Sequence, residues 1–420
     1  MNPLAVAAVW AGAGVAGAAV LPAARARRLG VLVPFAGLVA LLVALVVPGV
    51  PIPAVGSLGA LHLDRTTQGL LMACAISLVL MLVLAPTIEG PELLTVGLAG
   101  AATIVAVTAT NPVVWALGLV GAVGVLALRW IAVAPGRTTL AAGRVAVGGS
   151  AALLAAAPFL PVAEAVTGSR PVLVSALLAC GLAAVLGLLP LGGWAAGALG
   201  SLRGAEVAVW PLMVAPAVLL SAERIQLALP PLGSATFARI ILAMGLATAV
   251  WGAFQAVRAH PDRRYARVFI ADLGLAAAAI GAGHPGLAQS GGLFLVLTHL
   301  VTGPLLLQKP QPATRGPRRV AWLLLTGIPP APSFWGRFLL LEAVGQVSSA
   351  LLVLALLAMG LLFLAAVLGA RPARDPEQRA GRGEGPRGLA TQAAAWLVVA
   401  AGLALGVASQ SGATLIFGGS

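Results

Sequence analysis

Four ionisable side chains fall within apolar stretches of this sequence: Asp272, His299, Arg337 and Glu342. A charge in such surroundings is costly, so each is a candidate for work that needs a charge or a proton. His299 sits in Leu297-Thr298-His299-Leu300. An imidazole titrates near neutral pH and can relay protons, or it packs as a hydrogen-bonded interior residue. Asp272 follows Arg263, Arg264 and Arg267. It is either a buried acid or a partner for that basic loop. Arg337 follows Gly327-Ile328-Pro329-Pro330-Ala331-Pro332. Proline removes helix donors, so Gly327, Pro329 and Pro330 predict a broken helix with an arginine beside the break. That fits an internal hydrated cavity. The other reading has Arg337 reaching for the interface or pairing with Glu342, five residues later.

Other chemistry is missing from the pattern. No phosphate loop, dinucleotide fingerprint, metal-ligand cluster or nucleophile motif occurs. Glycine-spaced motifs carry no weight in a chain with 52 glycines. Catalytic residues, bound cofactors and metal ligands are therefore not expected. Cys74 and Cys180 both lie in apolar runs, where a thiol serves as a small core residue.

The elements that must position these groups are set by composition. Apolar residues make up 60% of the chain and charged ones 9%, and the mean hydropathy is +1.03. Soluble chains are about 45–50% apolar and about 25% charged. This excess must face lipid. There, backbone groups are satisfied only in helices or closed barrels. Barrel strands alternate apolar and polar residues, whereas these runs are continuous and about 20 residues long, as a spanning helix requires. The sequence predicts an all-α integral membrane protein of about fourteen transmembrane helices. Spans are expected near 3–21, 29–49, 68–86, 93–109, 112–130, 144–161, 171–190, 207–222, 236–257, 268–282, 290–307, 320–345, 347–370 and 389–408. Residues 1–420 read as one polytopic domain, with 371–388 a flexible linker before the last helix.

Charge orients the spans. Of 25 basic residues, 20 fall in loops on one side; Arg65, Arg170, Arg224 and Arg239 fall on the other, and Arg337 lies inside a span. The basic side is expected to be cytoplasmic, which places both termini outside the cytoplasm of a cell (inner) membrane. The net charge of +13 is thus explained by topology, and no nucleic-acid partner is expected. The run Arg25, Arg27, Arg28 follows the first apolar stretch rather than preceding it, which reads as a first spanning helix and not a cleaved signal.

Several segments together resemble the antiporter-like membrane subunits shared by respiratory complex I, membrane-bound hydrogenases and multisubunit cation/proton antiporters. Leu61-His62-Leu63-Asp64 resembles the family's "lDg" before the third span. Leu189-Pro190-Leu191-Gly192-Gly193-Trp194 is similar to "fPlHtWlP", Asp262-Arg263-Arg264 to "DlKr", and Leu297-Thr298-His299-Leu300 to "nHal". Thr326 through Pro330 with Phe334-Trp335-Gly336-Arg337-Phe338 resembles "GlPP…GFigKf". The segments fall in the family's order over nearly the whole chain, whose length suits the shorter, quinone-reductase N-like type. The resemblance implies two related five-helix inverted repeats and redox cofactors held by partner subunits.

The departures bear on mechanism. The family's proton path uses a glutamate and two lysines in the first half. Matched by motif, these fall near Val120 or Gly121, on Val185 and near Pro216. The motif histidine is Gly192, and a lysine after the His299 position is Gly303. The twelfth-span basic position survives as Arg337, which stays charged where lysine can be tuned to release a proton. The expectation is an antiporter-like subunit of a complex I-type or energy-converting hydrogenase-type complex, possessing proton-path candidates Asp272, His299, Arg337 and Glu342 but lacking the first-half relay. Its partners would be other membrane subunits and the lipid bilayer. A stand-alone secondary transporter or lipid-linked carrier is the alternative, and broken helices suit that also.

The topology is open to test by single-cysteine labelling of intact cells with an impermeant reagent. Positions in 258–267, 309–319 and 371–388 are expected to stay unlabelled; efficient labelling at two of the three reverses the orientation.

Overall fold

The computed structural model describes residues 3–20, 65–84, 89–162, 170–202, 204–308, 314–371 and 386–407. The span expected at 29–49, the motif at 61–64 and most of the linker at 371–388 lie outside them. The described residues fold into a bundle of helices. In order these are α1 (Pro3–Val20), α2 (Arg65–Leu84), α3 (Gly90–Thr108), α4 (Pro112–Val133) and α5 (Arg137–Ala156). Then come α6 (Arg170–Leu186), α7 (Gly193–Ser201), α8 (Glu206–Ala228), α9 (Pro231–Arg258) and α10 (Pro261–Gly281). The last are α11 (Pro285–Leu306), α12 (Arg315–Leu324), α13 (Pro332–Gly345), α14 (Ser349–Ala370) and α15 (Pro386–Val407).

Local chemistry sets many of the boundaries. Pro91, Pro112, Pro231, Pro261, Pro285 and Pro332 stand in the first turns of their helices, where a missing N–H costs nothing. The Asn111 side chain accepts from Val113 N at 2.8 Å and caps α4. Ser348 caps α14 in the same way. Inside α8 one wide π turn, Trp210–Val214, accommodates Pro211.

Among the described residues, eight helices are long and apolar enough to cross a membrane on their own. Large apolar side chains such as Leu128, Val353 and Leu397 stand 70%, 63% and 69% exposed, an outward face that suits hydrocarbon and not water. The protein is a multi-pass membrane protein. The span expected over 320–345 is a broken helix: α12 ends at Leu324 and α13 starts at Pro332. The span expected over 171–190 is also interrupted, with α6 and α7 flanking a turn at 187–192.

These breaks reveal the architecture. From α3 to α8 the chain runs as three continuous helices, one broken helix (α6/α7) and one further helix. From α9 to α14 the same order recurs, with α12/α13 as the broken member. The two sets thus repeat one order of helices, each with its broken member fourth.

Glycine brings helices close where lipid supplies no hydrophobic drive. A Cβ on Gly274 of α10 would lie 2.5 Å from Ala249 N of α9, and one on Gly245 would lie 2.5 Å from Ala278 N. Gly274→Ala is expected to force α9 from α10 at about 1–3 kcal/mol. Gly124→Ala, where a Cβ meets open space, is expected to be neutral or mildly stabilising. Thermal unfolding in detergent compares the two; equal midpoints would disprove the close-approach argument.

Candidate functional site

The buried charge of the second half centres on Asp272, in the middle of α10. Its two oxygens accept from Arg337 Nε and Nη2 of α13, both at 3.0 Å. Asp272 Oδ2 also faces His299 Nε2 of α11 at 3.0 Å. Arg337 is fully buried, and Asp272 and His299 are 1% and 2% exposed. A fork of two N–H donors on one carboxylate is the strongest ion-pair geometry available to a side chain. It leaves the pair with no net charge, which suits a buried site.

His299 continues the chain of contacts. Its Nδ1 lies 3.3 Å from the Tyr265 hydroxyl. Its two ring nitrogens thus face Asp272 on one side and Tyr265 on the other. Phe269 meets the imidazole edge to face at 4.9 Å. The polar groups thus run Tyr265, His299, Asp272, Arg337 across three helices.

Arg337 has a second task, set by the helix break. The end of α12 leaves carbonyl oxygens without helical partners. Arg337 Nη1 donates to Leu325 O at 2.8 Å, and the Ser333 hydroxyl donates to Leu324 O. Both donors come from α13, so each half of the broken helix completes the other. Gly327, at φ +77°, turns the chain here, and a Cβ on it would stand 3.0 Å from Arg337 Nη1. Pro330 follows in a cis peptide.

Glu342 does not join this site. It is exposed on α13, and the partner of Arg337 is Asp272. The reading of Asp272 as a partner for the basic loop is likewise replaced: its cation comes from α13.

The first-half break is completed differently. Trp194 Nε1 donates to Ala184 O at 2.7 Å and Trp210 Nε1 to Val185 O at 3.0 Å. Leu189 N donates to the Thr248 hydroxyl at 2.8 Å. Two indoles occupy the place that the guanidinium and hydroxyl take in the second half. Their rings stack edge to face, Trp194 on Trp210 and Trp210 on Phe269, each at 5.5 Å. Phe269 then meets His299. A row of aromatic rings therefore separates the first break from the charged site. Val185 is fully buried. A side chain at Gly303 would collide with Leu212 and the Tyr265 hydroxyl.

Other acids lie nearer the helix ends. Glu206 pairs with Arg129 at 2.6 Å, and Glu92 accepts from Ala205 N at 3.4 Å. Glu223 of α8, 7% exposed, lines a cavity of about 30 Å³ with Gln289, Ala276 and Val296. About one probe sphere, 10–15 Å³, suffices for a water. Ala276 lies one turn beyond Asp272 on α10, and Val296 one turn before His299 on α11. The sequence reading passed over Glu223, Tyr265 and Trp210, and took Trp194 only as part of a motif. Tyr265 carried one signal, being the only tyrosine in the chain.

No protein-family model matches the chain, and no curated protein matches its sequence. Solved structures do match its shape. A chain of the Mrp complex from Dietzia sp. DQ12-45-1b superposes with a TM-score of 0.80 at 17% identity, covering 99% of this chain and 52% of that one. A chain of respiratory complex I from Thermus thermophilus with bound NADH gives 0.79 at 19% identity, covering 99% and 97%. A chain of the membrane-bound sulfane sulfur reductase, an archaeal respiratory membrane complex, gives 0.81 at 17% identity, covering 96% and 75%. The chain spans about half the length of the Mrp chain and nearly all of the complex I chain. At these identities the likeness is one of fold, and that fold is the antiporter-like inverted-repeat bundle with broken helices.

The pairing predicts a specific mutational pattern. Asp272→Leu strands the Arg337 charge and is expected to cost about 3–5 kcal/mol. Asp272→Leu with Arg337→Met is expected to recover much of that loss, short of it by the unpaired Leu325 carbonyl. Unfolding midpoints in detergent give the cycle; additive losses from the two substitutions would refute the pairing.

Proposed function

We propose that this chain is an antiporter-like membrane subunit of an ion-translocating oxidoreductase complex, of the complex I or energy-converting hydrogenase kind. Its role is to hold a fixed buried charge and to seal the bundle, rather than to pump alone. It lies in the cell membrane, its basic face toward the cytoplasm and its termini outside. Its partners are other membrane subunits, and the redox groups belong to them.

The observation that carries this reading is the Asp272–Arg337 pair at the break of α12/α13. The fold that houses it is shared with chains of the Mrp complex, complex I and the sulfane sulfur reductase. Relay through the first half would need protonatable groups within reach of a few waters. Val185 and the rings of Trp194 and Trp210, at the first break, offer none. Buried water needs two to four polar partners, and apolar walls do not supply them. In the second half, Tyr265, His299 and Asp272 make a polar chain, while Glu223 of α8, in the first half, lines the small cavity with Ala276 and Val296.

Two measurements test the proposal. Tagged chain extracted from its own membranes in mild detergent is expected to bring down further membrane subunits and a redox subunit with flavin or iron–sulfur absorption. Recovery of the chain alone in every detergent rejects the complex. Purified chain in liposomes, with a pH-sensitive dye inside and an imposed potential, is expected to match empty liposomes. Flux well above that control, abolished by His299→Gln or Arg337→Gln, would favour the stand-alone transporter.

A further inference from the structure

The basic end of the α9/α10 hairpin holds a cleft of about 620 Å³. Its size falls within the roughly 300–1,000 Å³ of small-molecule sites. Arg258, Arg263 and Arg267 line it, with Asp262 the one carboxylate among the lining residues. Asp262 already faces His260 at 3.5 Å, so three guanidiniums stand against one partly engaged acid.

One wall of this cleft is aromatic. Trp251 and Phe254 lie on one face of α9 and lead up to Arg258 one turn later, the i, i+3, i+7 spacing of a single helical face. Their rings stack at 5.7 Å with 28° between planes. Arg258 Cζ sits 5.4 Å from the Phe254 centroid. Both rings are exposed, Trp251 at 49% and Phe254 at 39%. Tryptophan is at home at the membrane–water boundary, and basic pockets between helices there bind anionic headgroups.

We propose that this cleft binds an anionic phospholipid, its phosphate among Arg258, Arg263 and Arg267 and its acyl chain along Trp251 and Phe254. The chemistry recognised is a phosphodiester bearing a hydrocarbon tail. A free inorganic anion would satisfy the arginines but leave the rings bare. An acidic partner protein would satisfy the arginines too, but the rings descend α9 from the polar end toward the hydrocarbon, the direction an acyl chain takes.

The test is native mass spectrometry of the full chain, delipidated in detergent and titrated with dioleoyl phosphatidylglycerol or dioleoyl phosphatidylcholine. Phosphatidylglycerol is expected to bind at one saturable site and phosphatidylcholine far more weakly. Arg258→Gln with Arg263→Gln is expected to weaken phosphatidylglycerol binding about tenfold or more, since two interfacial charges are lost. Arg258→Lys with Arg263→Lys keeps the charge and is expected to retain most of the affinity. Arg137→Gln, outside the cleft, is expected to change it less than about twofold. Equal binding of the two lipids overturns the proposal, as does a Gln variant that behaves like the Arg137→Gln control. Displacement of the lipid by millimolar inorganic phosphate would assign the cleft to a free anion instead. A photocrosslinker at Trp251 that captures protein in native membranes, and no lipid, would assign it to a partner subunit.

Discussion

A helix that stops inside a membrane must find donors for the carbonyls it leaves open, because lipid offers none. The rest of this structure depends on how that demand is met. It arises at the turn between α6 and α7 and at the turn between α12 and α13. At each, the donors come from the helix that resumes the chain or from one beside it. The breaks are therefore not weak points. They are places where particular side chains become obligatory, and their chemistry decides what the centre of each repeat can do.

The two repeats answer the same demand with different chemistry. In the second, Arg337 and Ser333 cover the carbonyls of Leu325 and Leu324. A guanidinium used as a cap brings a full charge into the core, and a buried charge needs a counterion. Asp272 supplies it. The helix break thus leads to the ion pair, and the ion pair gives His299 a carboxylate to orient it. In the first, Trp194 and Trp210 cap with neutral N–H groups. No counterion is then required, and the space fills with rings down to Phe269. One substitution of capping chemistry separates a repeat with a charged centre from one with an aromatic centre.

What was legible in the sequence followed this division between local and distant effects. The second break is written in Gly327 and the prolines after it, whose backbone rules act within a few residues. The first break was read as the end of a continuous span, because Gly187, Leu189-Pro190 and Gly192 look ordinary in a chain this rich in glycine and proline. Asp272, His299 and Arg337 could be singled out because a charge in an apolar run is conspicuous anywhere. Their contacts were harder to read. Glu342 was an attractive partner for Arg337 only because it is near in the chain. At 3.6 residues per turn, a residue five positions on points about 140° away around the helix. The true partner lies 65 residues distant, and only the packing of α10 against α13 joins them. Trp194 was read only as a motif residue and Trp210 not at all, because their role is a hydrogen bond to a carbonyl, which leaves no trace in residue type.

The same capping bond constrains how the charged site can behave. Arg337 is tied to Asp272 by two donors and to Leu325 by a third. Swinging the guanidinium away would expose both a buried carboxylate and an open carbonyl, so the positive charge stays where it is. Asp272 is held in turn, and its oxygens are already shared between Arg337 and His299. His299 lies between Tyr265 and Asp272, and a further charge placed there would join a site whose ion pair is already balanced. In a low-dielectric interior such a charge is strongly disfavoured unless an anion approaches. Glu223 is the one acid among the residues that line the small cavity. A fixed arginine so held makes a site that senses charge in its surroundings more readily than one that passes protons onward.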